Sequence, residues 1–311
     1  MRFDNLYHRF KPYLPRPLQM AVRRKVALWR RLRNRESWPI DGRSGQPPPG
    51  WLGWPEGKRF ALVLTHDVES EDGQGKCCSL AEMEERRGLR SSFNFVAEKY
   101  RDNPLLRGHL VKGGFEVGVH GLTHDGSLFH SRRSFLAQAP KINRYLREWG
   151  AVGFRAPCMY HRLDWMHDLE IEYDASTFDT DPFEPQPDGV GTIFPFTVEN
   201  GRSGQSYTEL PYTLPQDFTL FGLLGEKGIE IWRQKLDWIA QSGGMALLNV
   251  HPDYMTFGQD RASGECYPVS QYLSFLDYVQ DRYAGSYWHG LPREVARFWR
   301  AGAGAQQGGE L

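Results

Sequence analysis

Apolar residues come in short blocks along the chain, and the spacing inside each block predicts its element. Phe60-Ala-Leu-Val-Leu-Thr65 is an almost wholly apolar run of strand length, the pattern of a strand buried on both faces. A charged stretch, Ser79–Gly88, reads as a helix stopped by its glycine. Ser92–Val96 alternates and reads as a second strand. Leu105–Lys112 reads as a helix ended by Gly113-Gly114, and Phe115–Val119 as a third strand. Arg133–Trp149 carries Phe135, Ile142, Leu146 and Trp149 on one side of a helix. Ala151–Arg155 and Tyr173–Phe178 read as strands four and five. Trp232–Gln241 (helix), Met245–Val250 (strand) and Tyr272–Val279 (helix) follow.

Alternating strands and helices imply a parallel sheet covered by helices. About seven such units over residues 51–300 predict an α/β fold closed into a deformed (β/α)7-type barrel. In a barrel of this kind the chemistry sits at the C-terminal ends of the strands.

Composition narrows the class. The chain has 311 residues, 40% hydrophobic and 24% charged, which is ordinary globular usage. Net charge is zero, so the whole chain is not a polyanion binder and no nucleic-acid partner is expected. Cys77, Cys78, Cys158 and Cys266 form no C-x-x-C pair and read as reduced thiols. No apolar N-terminal segment is followed by a small-residue cleavage site, which predicts a cytoplasmic protein.

The charge is unevenly spread. Residues 1–40 hold eleven Lys or Arg and two Asp or Glu of the 38 of each in the chain. Within them Pro17–Arg33 predicts a helix with Leu18, Val22, Val26 and Trp29 along one side and Arg23, Arg24, Arg30 and Arg31 opposite. Such a helix packs its apolar stripe on the protein body, or lies peripherally on the anionic inner face of a membrane through residues 17–33. Gly42–Gly53, rich in Gly and Pro, reads as a linker. Residues 1–50 are therefore expected as a basic helical extension with its linker, and 301–311 as a flexible tail.

The strand ends carry unusual polar residues. Strand one ends Thr65-His66-Asp67-Val68-Glu69, whose two carboxylates at i and i+2 share a face; alternatively they cap the next helix. Strand three ends His120-Gly121-Leu122-Thr123-His124. Two histidines at i, i+4 bring both imidazoles within reach of one ion, though surface pairs share this spacing. Strand four ends Arg155-Ala156-Pro157-Cys158, a positioned cation beside a proline. Met245–Val250 ends in His251, either a core histidine or a general acid in the barrel mouth.

In order and spacing these pieces resemble the polysaccharide deacetylases (the NodB-homology, family 4 carbohydrate esterases). Thr65-His66-Asp67-Val68-Glu69 stands where that family has its acidic motif. His120-Gly-Leu-Thr-His124, Arg155-Ala-Pro157 and Leu248-Asn-Val-His251 follow, the last with a gap one residue longer. The resemblance covers about residues 58–285. Val68 replaces the second acid of the usual T-F-D-D, so the chain looks like the branch with a D-x-[DE] motif. Gly121 replaces the usual Ser or Thr.

The resemblance implies a hydrolase of non-peptide C–N amide bonds that removes N-acetyl groups from a sugar or polysaccharide precursor in envelope or exopolysaccharide synthesis. It implies a divalent metal, zinc by preference, on Glu69, His120 and His124. Asp67 is then the base and His251 the acid, with Arg155 beside the base; Asp67 as the carboxylate ligand is the other assignment. Pro157, Cys158 and Tyr160 would form the oxyanion and substrate wall. Asp179, Asp181 and Asp253 are each able to orient Arg155 or His251. Trp165, Tyr160, Tyr212 and Tyr254 are the aromatics suited to a sugar. A cyclic amide or imide hydrolase of the same fold, and a saccharide-binding relative without catalysis, are the alternatives.

Overall fold

All nine residues of the first strand, β1 (Phe60–Val68), are buried. The computed structural model describes residues 16–201, 204–258 and 264–307. β1 lies at the centre of a curled sheet because it has neighbours on both sides. It runs parallel to β8 (Met245–Val250), β2 (Ser92–Phe95) and, at its start, β9 (Tyr287–His289). From β2 the sheet continues parallel through β3 (Glu116–Val119), β4 (Gly153–Phe154), β5 (Tyr173–Asp174) and β7 (Ser206–Glu209), with β6 (Phe196–Glu199) antiparallel at the edge. Two single parallel bridges, Phe178 to Tyr212 and Leu214 to Leu248, carry the curl from β5 and the continuation of β7 round to β8. β1, β2, β3, β4, β5, extended β7 and β8 thus make seven staves, as the alternating pattern predicts. β4 and β5 are shorter than expected. Gly153 lets the two strands pack closely: its missing side chain leaves the space occupied by the Tyr173 ring.

Helices cover the outside. α1 (Arg16–Arg33) precedes the barrel; α2 (Glu71–Glu85), α3 (Pro104–Lys112) and α4 (Arg132–Trp149) follow β1, β2 and β3. α5 (Glu230–Ser242), α6 (Val269–Tyr283) and α7 (Pro292–Gln307) complete the layer. α2 starts at a Ser70 cap, eight residues earlier than the sequence pattern suggests. Gly73 and Gly75 inside its first turns mask the helical periodicity. On α4 the predicted stripe of Phe135, Ile142 and Leu146 is buried. A short π-helix, Phe218–Leu224, precedes α5. None of the described helices is long and apolar enough to cross a membrane.

The N-terminal segment differs from the expected extension. Trp38 and Ser44 are buried, the Ser44 carbonyl accepts from Ile193 N, and Trp51 packs among Trp54, Phe298 and Trp299. α1 itself packs on the body, but of the predicted stripe only Val22 and Val26 are half-buried. Met20 and Ala27 are buried against Leu223 and the π-helix, whereas Trp29 is 52% and Leu18 49% exposed. The reason is polar. Arg24 donates to the Gly222 carbonyl, Arg30 to that of Pro182, and Arg31 pairs with Glu226. Inward hydrogen bonds to a charged group are each stronger than a neutral one, so they turn the basic side toward the protein. At the other end α7 runs to Gln307, inside the expected tail; 308–311 lie outside the described residues, as do 1–15.

Candidate active site

β1 sorts its residues by face. His66 and Val68 point to the helix layer, and Thr65, Asp67 and Glu69 to the barrel mouth. His66 is fully buried on the outer side, 2.7 Å from Glu84 and packed between Phe93 and Tyr272. On the inner side Asp67 is 2% exposed. Its Oδ1 accepts from Asn94 Nδ2 at 2.9 Å and its Oδ2 from Asn249 Nδ2 at 2.8 Å. Asn94 fits only because Gly118 on β3 has no side chain. Asn249 is itself held by Thr65 Oγ1 at 3.1 Å.

Glu69, His120 and His124 converge. One ligand atom of each lies within 4.8 Å of the others. His120 Nδ1 is 3.0 Å from the Arg155 carbonyl, which fixes the proton on Nδ1 and leaves Nε2 a bare acceptor. The Nε2 atoms of His120 and His124 are buried with no hydrogen-bond partner among the described residues. His124 Nε2 stands 2.9 Å from Glu69 Oε1, but not aligned as a hydrogen bond. Burial pushes the His120 imidazole down to about 4, against the pull of Asp67, so it is neutral at ordinary pH. A carboxylate and two imidazoles with unsatisfied, converging nitrogens fit a divalent cation, and zinc suits this donor set.

Arg155 is fully buried, with Nη1 3.7 Å from Asp67 Oδ2. Burial alone would raise the Asp67 carboxyl, but its cationic neighbours, His120 once protonated at low pH and then Arg155 and His251, outweigh it and hold it well below the usual range. Glu69, likewise buried, is held down to about 2 by His124 and His251.

His251 is placed by Asp217. His251 Nδ1 lies 2.7 Å from Asp217 Oδ1, and its backbone N–H donates to Oδ2 at 2.8 Å. Phe218 N and Tyr267 Oη donate to the same carboxylate. Four donors saturate its acceptor sites. Nε2 of His251 faces Glu69 Oε1 at 3.6 Å. Burial would lower the imidazole, but Asp217 first, then Glu69 and Asp67, raise it to about 10.

The Pro157–Met159 turn borders the same cavity, of about 670 Å³. Cys158 and Met159 have φ of 57° and 53°, strained values for residues with side chains, of the kind found where a functional loop is tightly held. Gly121 has φ +70°, and a Cβ there would stand 2.7 Å from the Pro157 ring. The glycine is required at that position.

No protein-family model and no curated protein sequence matches the chain. Solved structures do. A Mycobacterium smegmatis protein assigned as a polysaccharide deacetylase aligns with a TM-score of 0.63 and 18% identity, over 82% of this chain and 95% of that one. A Pseudomonas aeruginosa PAO1 protein assigned likewise aligns at 0.61 and 17%, over 85% and 98%. The PuuE allantoinase aligns at 0.63 and 17%, again over 85% and 98%. The chain has the polysaccharide deacetylase fold.

Within that deacetylase fold Asp67, Glu69, His120, His124, Cys158, Tyr160 and His251 line one cavity; Arg155 and Pro157 stand behind it. The three acids expected to orient Arg155 or His251 do other work. Asp179 pairs with Lys235, Asp181 accepts from Tyr212, and Asp253 accepts from Glu69 N and the Ser70 hydroxyl at the start of α2. Gly73 leaves the room that the Asp253 carboxylate occupies. Asp217, which orients His251, escaped the sequence reading: it sits in no strand, 34 residues upstream of its partner. Asn94 and Asn249 escaped too, although Asn249 lies inside the late motif. Of the expected aromatics Tyr160 and Tyr254 line the cavity. Tyr212 is buried on Asp181 and Glu184, and Trp165 packs on Phe129 and Phe135.

Proposed function

We propose that the chain is a metal-dependent hydrolase that removes the N-acetyl group from a sugar or saccharide precursor in envelope or exopolysaccharide synthesis. The observation that carries this reading is the convergence of Glu69, His120 and His124 between an ionised Asp67 and a protonated His251. A divalent cation on those three residues, zinc by donor type, would supply Lewis acidity to a water and to the acyl carbonyl. Asp67, held by Asn94, Asn249 and Arg155, takes the proton of the attacking water. His251 delivers the proton on Nε2 to the leaving amine nitrogen, and Asp217 holds its ring for that transfer. The Cys158 backbone N–H stabilises the developing oxyanion. Tyr160 and Tyr254 offer faces to the sugar ring.

Two measurements test this together: zinc content of the purified protein, and acetate release from a panel of N-acetylated saccharides. Glu69→Gln and His120→Ala are expected to lose most of the metal; Asp67→Asn is expected to keep it and lose turnover. Metal lost in Asp67→Asn and kept in Glu69→Gln would exchange the roles of the two acids. The equal likeness to an allantoinase favours one other reading, cyclic amide hydrolysis. Turnover of ureides with none of N-acetyl sugars would select it. In the deacetylase reading the protein works inside the cell, where Leu18, Leu28, Trp29 and Leu32 of α1 face outward for peripheral contact with a membrane; sedimentation with anionic vesicles tests that contact.

A further inference from the structure

One wall of the cavity is built by α1, through Val22, Arg23, Val26, Ala27 and Arg30. The inner part of the cavity is acidic, with Asp67, Glu69 and Asp253; Arg23 and, from the loop after β2, Lys99 bring positive charge to its lining. Most other arginines of α1 are committed to holding the helix down. Arg24 and Arg30 donate to carbonyl groups and Arg31 pairs with Glu226, while Arg33 lies over Trp29 of the same helix at 4.2 Å. Arg23 is different. Its guanidinium lies over the Phe218 ring at 4.9 Å, and it has no carboxylate partner among the described residues. Lys99, exposed, has none either. Stacking orients a guanidinium without neutralising it or using its in-plane donors. A neutral sugar needs aromatic faces and hydrogen bonds, and no uncompensated cation; a planar fork with a point charge in the same cavity suits a phosphoryl group.

We propose that the substrate taken by this cavity is an N-acylated sugar carrying a phosphoryl group, which Arg23 and Lys99 bind. This rests on the reading of the site as an N-acyl sugar hydrolase. α1 is then part of the binding site and a source of specificity.

The test uses the full chain. Acetate release is compared for N-acetylglucosamine 1-phosphate and unphosphorylated N-acetylglucosamine oligomers, in wild type, Arg23→Ala and Lys99→Ala. In parallel, calorimetry measures binding of N-acetylglucosamine 1-phosphate and of N-acetylglucosamine to the Asp67→Asn variant, with and without Arg23→Ala. The expected result is a preference in kcat/KM for the phosphorylated sugar of roughly 10- to 100-fold, the scale of one or two hydrogen bonds to a charged group. It should shrink toward unity in Arg23→Ala, mainly through KM, and weaken with salt. Lys99→Ala, on a separate exposed loop, should show the smaller loss; it keeps the test decisive if Arg23→Ala does not fold.

Equal kcat/KM for phosphorylated and neutral sugars, or a preference untouched by both substitutions, would overturn the proposal and leave the deacetylase reading standing. So would an equal preference for an N-acetylated uronic acid. Phosphate-dependent binding that needs Arg23, with no acetate released from any sugar, would support the binding site and sink the deacetylase reading. A final arm presents the same sugar on a polyprenyl phosphate in vesicles: faster turnover there places the phosphoryl group on a lipid carrier, and faster turnover of the soluble sugar phosphate places it on a free one.

Discussion

Two buried histidines of this barrel face a carboxylate at the same distance. His66 is 2.7 Å from Glu84 and His251 is 2.7 Å from Asp217. In both the carboxylate is further loaded with hydroxyl or amide donors. They differ in where the second ring nitrogen points. Nδ1 of His66 ends in the core beside Phe93 and Tyr272 with no partner among the described residues. Nε2 of His251 ends in the cavity, facing Glu69. A histidine–carboxylate pair is therefore no signature of catalysis by itself; the free end of the ring decides. The first pair ties α2 and α6 to β1, and the second, in the proposed reaction, delivers a proton.

The largest expected effect separates them directly. His251→Ala should lower kcat by roughly 10²–10⁴ with metal content unchanged, the range for a lost general acid, and Asp217→Asn should follow it in direction through loss of ring orientation. His66→Gln should leave kcat per folded molecule within about threefold, since it touches no reacting atom. Acetate-release kinetics with parallel metal analysis make the comparison; a large fall in kcat for His66→Gln would erase the distinction.

Stability should show the reverse order. Removing one partner of a buried pair strands the other, so His66→Ala should cost about 3–5 kcal/mol. In a domain of this size that is a fall of roughly 10 °C in Tm. Thermal unfolding measures it, and a Tm unchanged from wild type would show that the pair is dispensable.

A third buried acid sharpens the point because it has no histidine. Glu116, at the start of β3, accepts from Tyr173 Oη and Arg293 N. Burial raises its carboxyl to about 7 against those bonds, whereas Glu84, also opposed by burial, is lowered by His66. The native state therefore keeps a proton that the unfolded chain releases above about 4.5, so stability should fall from that pH up to about 7 and then level, by at most roughly 3 kcal/mol. Glu116→Gln, with its amide oxygen accepting from Arg293 N and its NH₂ donating to Tyr173, should flatten that slope. Urea unfolding at pH 5 and 7.5 tests it; an identical slope in the variant would exclude Glu116 as its source.

Most strands and the histidine pair of the candidate metal site could be read in advance because each is local. A run such as Phe60–Leu64 needs only buried neighbours, and His120 with His124 needs only four-residue spacing. What could not be read is what depends on distant contacts. Asp217 and Asn94 meet their partners on neighbouring strands or strand ends that are distant in sequence, and neither has a local pattern. The buried line of α1 departs from its apolar periodicity for the same cause: the periodicity favours Leu18 and Trp29, but carbonyl groups at Gly222 and Pro182 capture Arg24 and Arg30. Past β5 the strand-like Ala175–Thr177 keeps some backbone bonds, Ala175 N to Phe154 and Tyr212 N to Thr177, but Thr177 N–H turns to the Glu209 carboxylate and the regular ladder ends.

The vacancy at Gly121 reaches beyond its own turn. The Pro157 ring fills it, so the loop bearing both imidazoles is keyed into the loop bearing the guanidinium and the strained turn at Cys158. A side chain at position 121 would push the two loops apart. Any attempt to enlarge residue 121, by design or by natural drift, has to change position 157 with it.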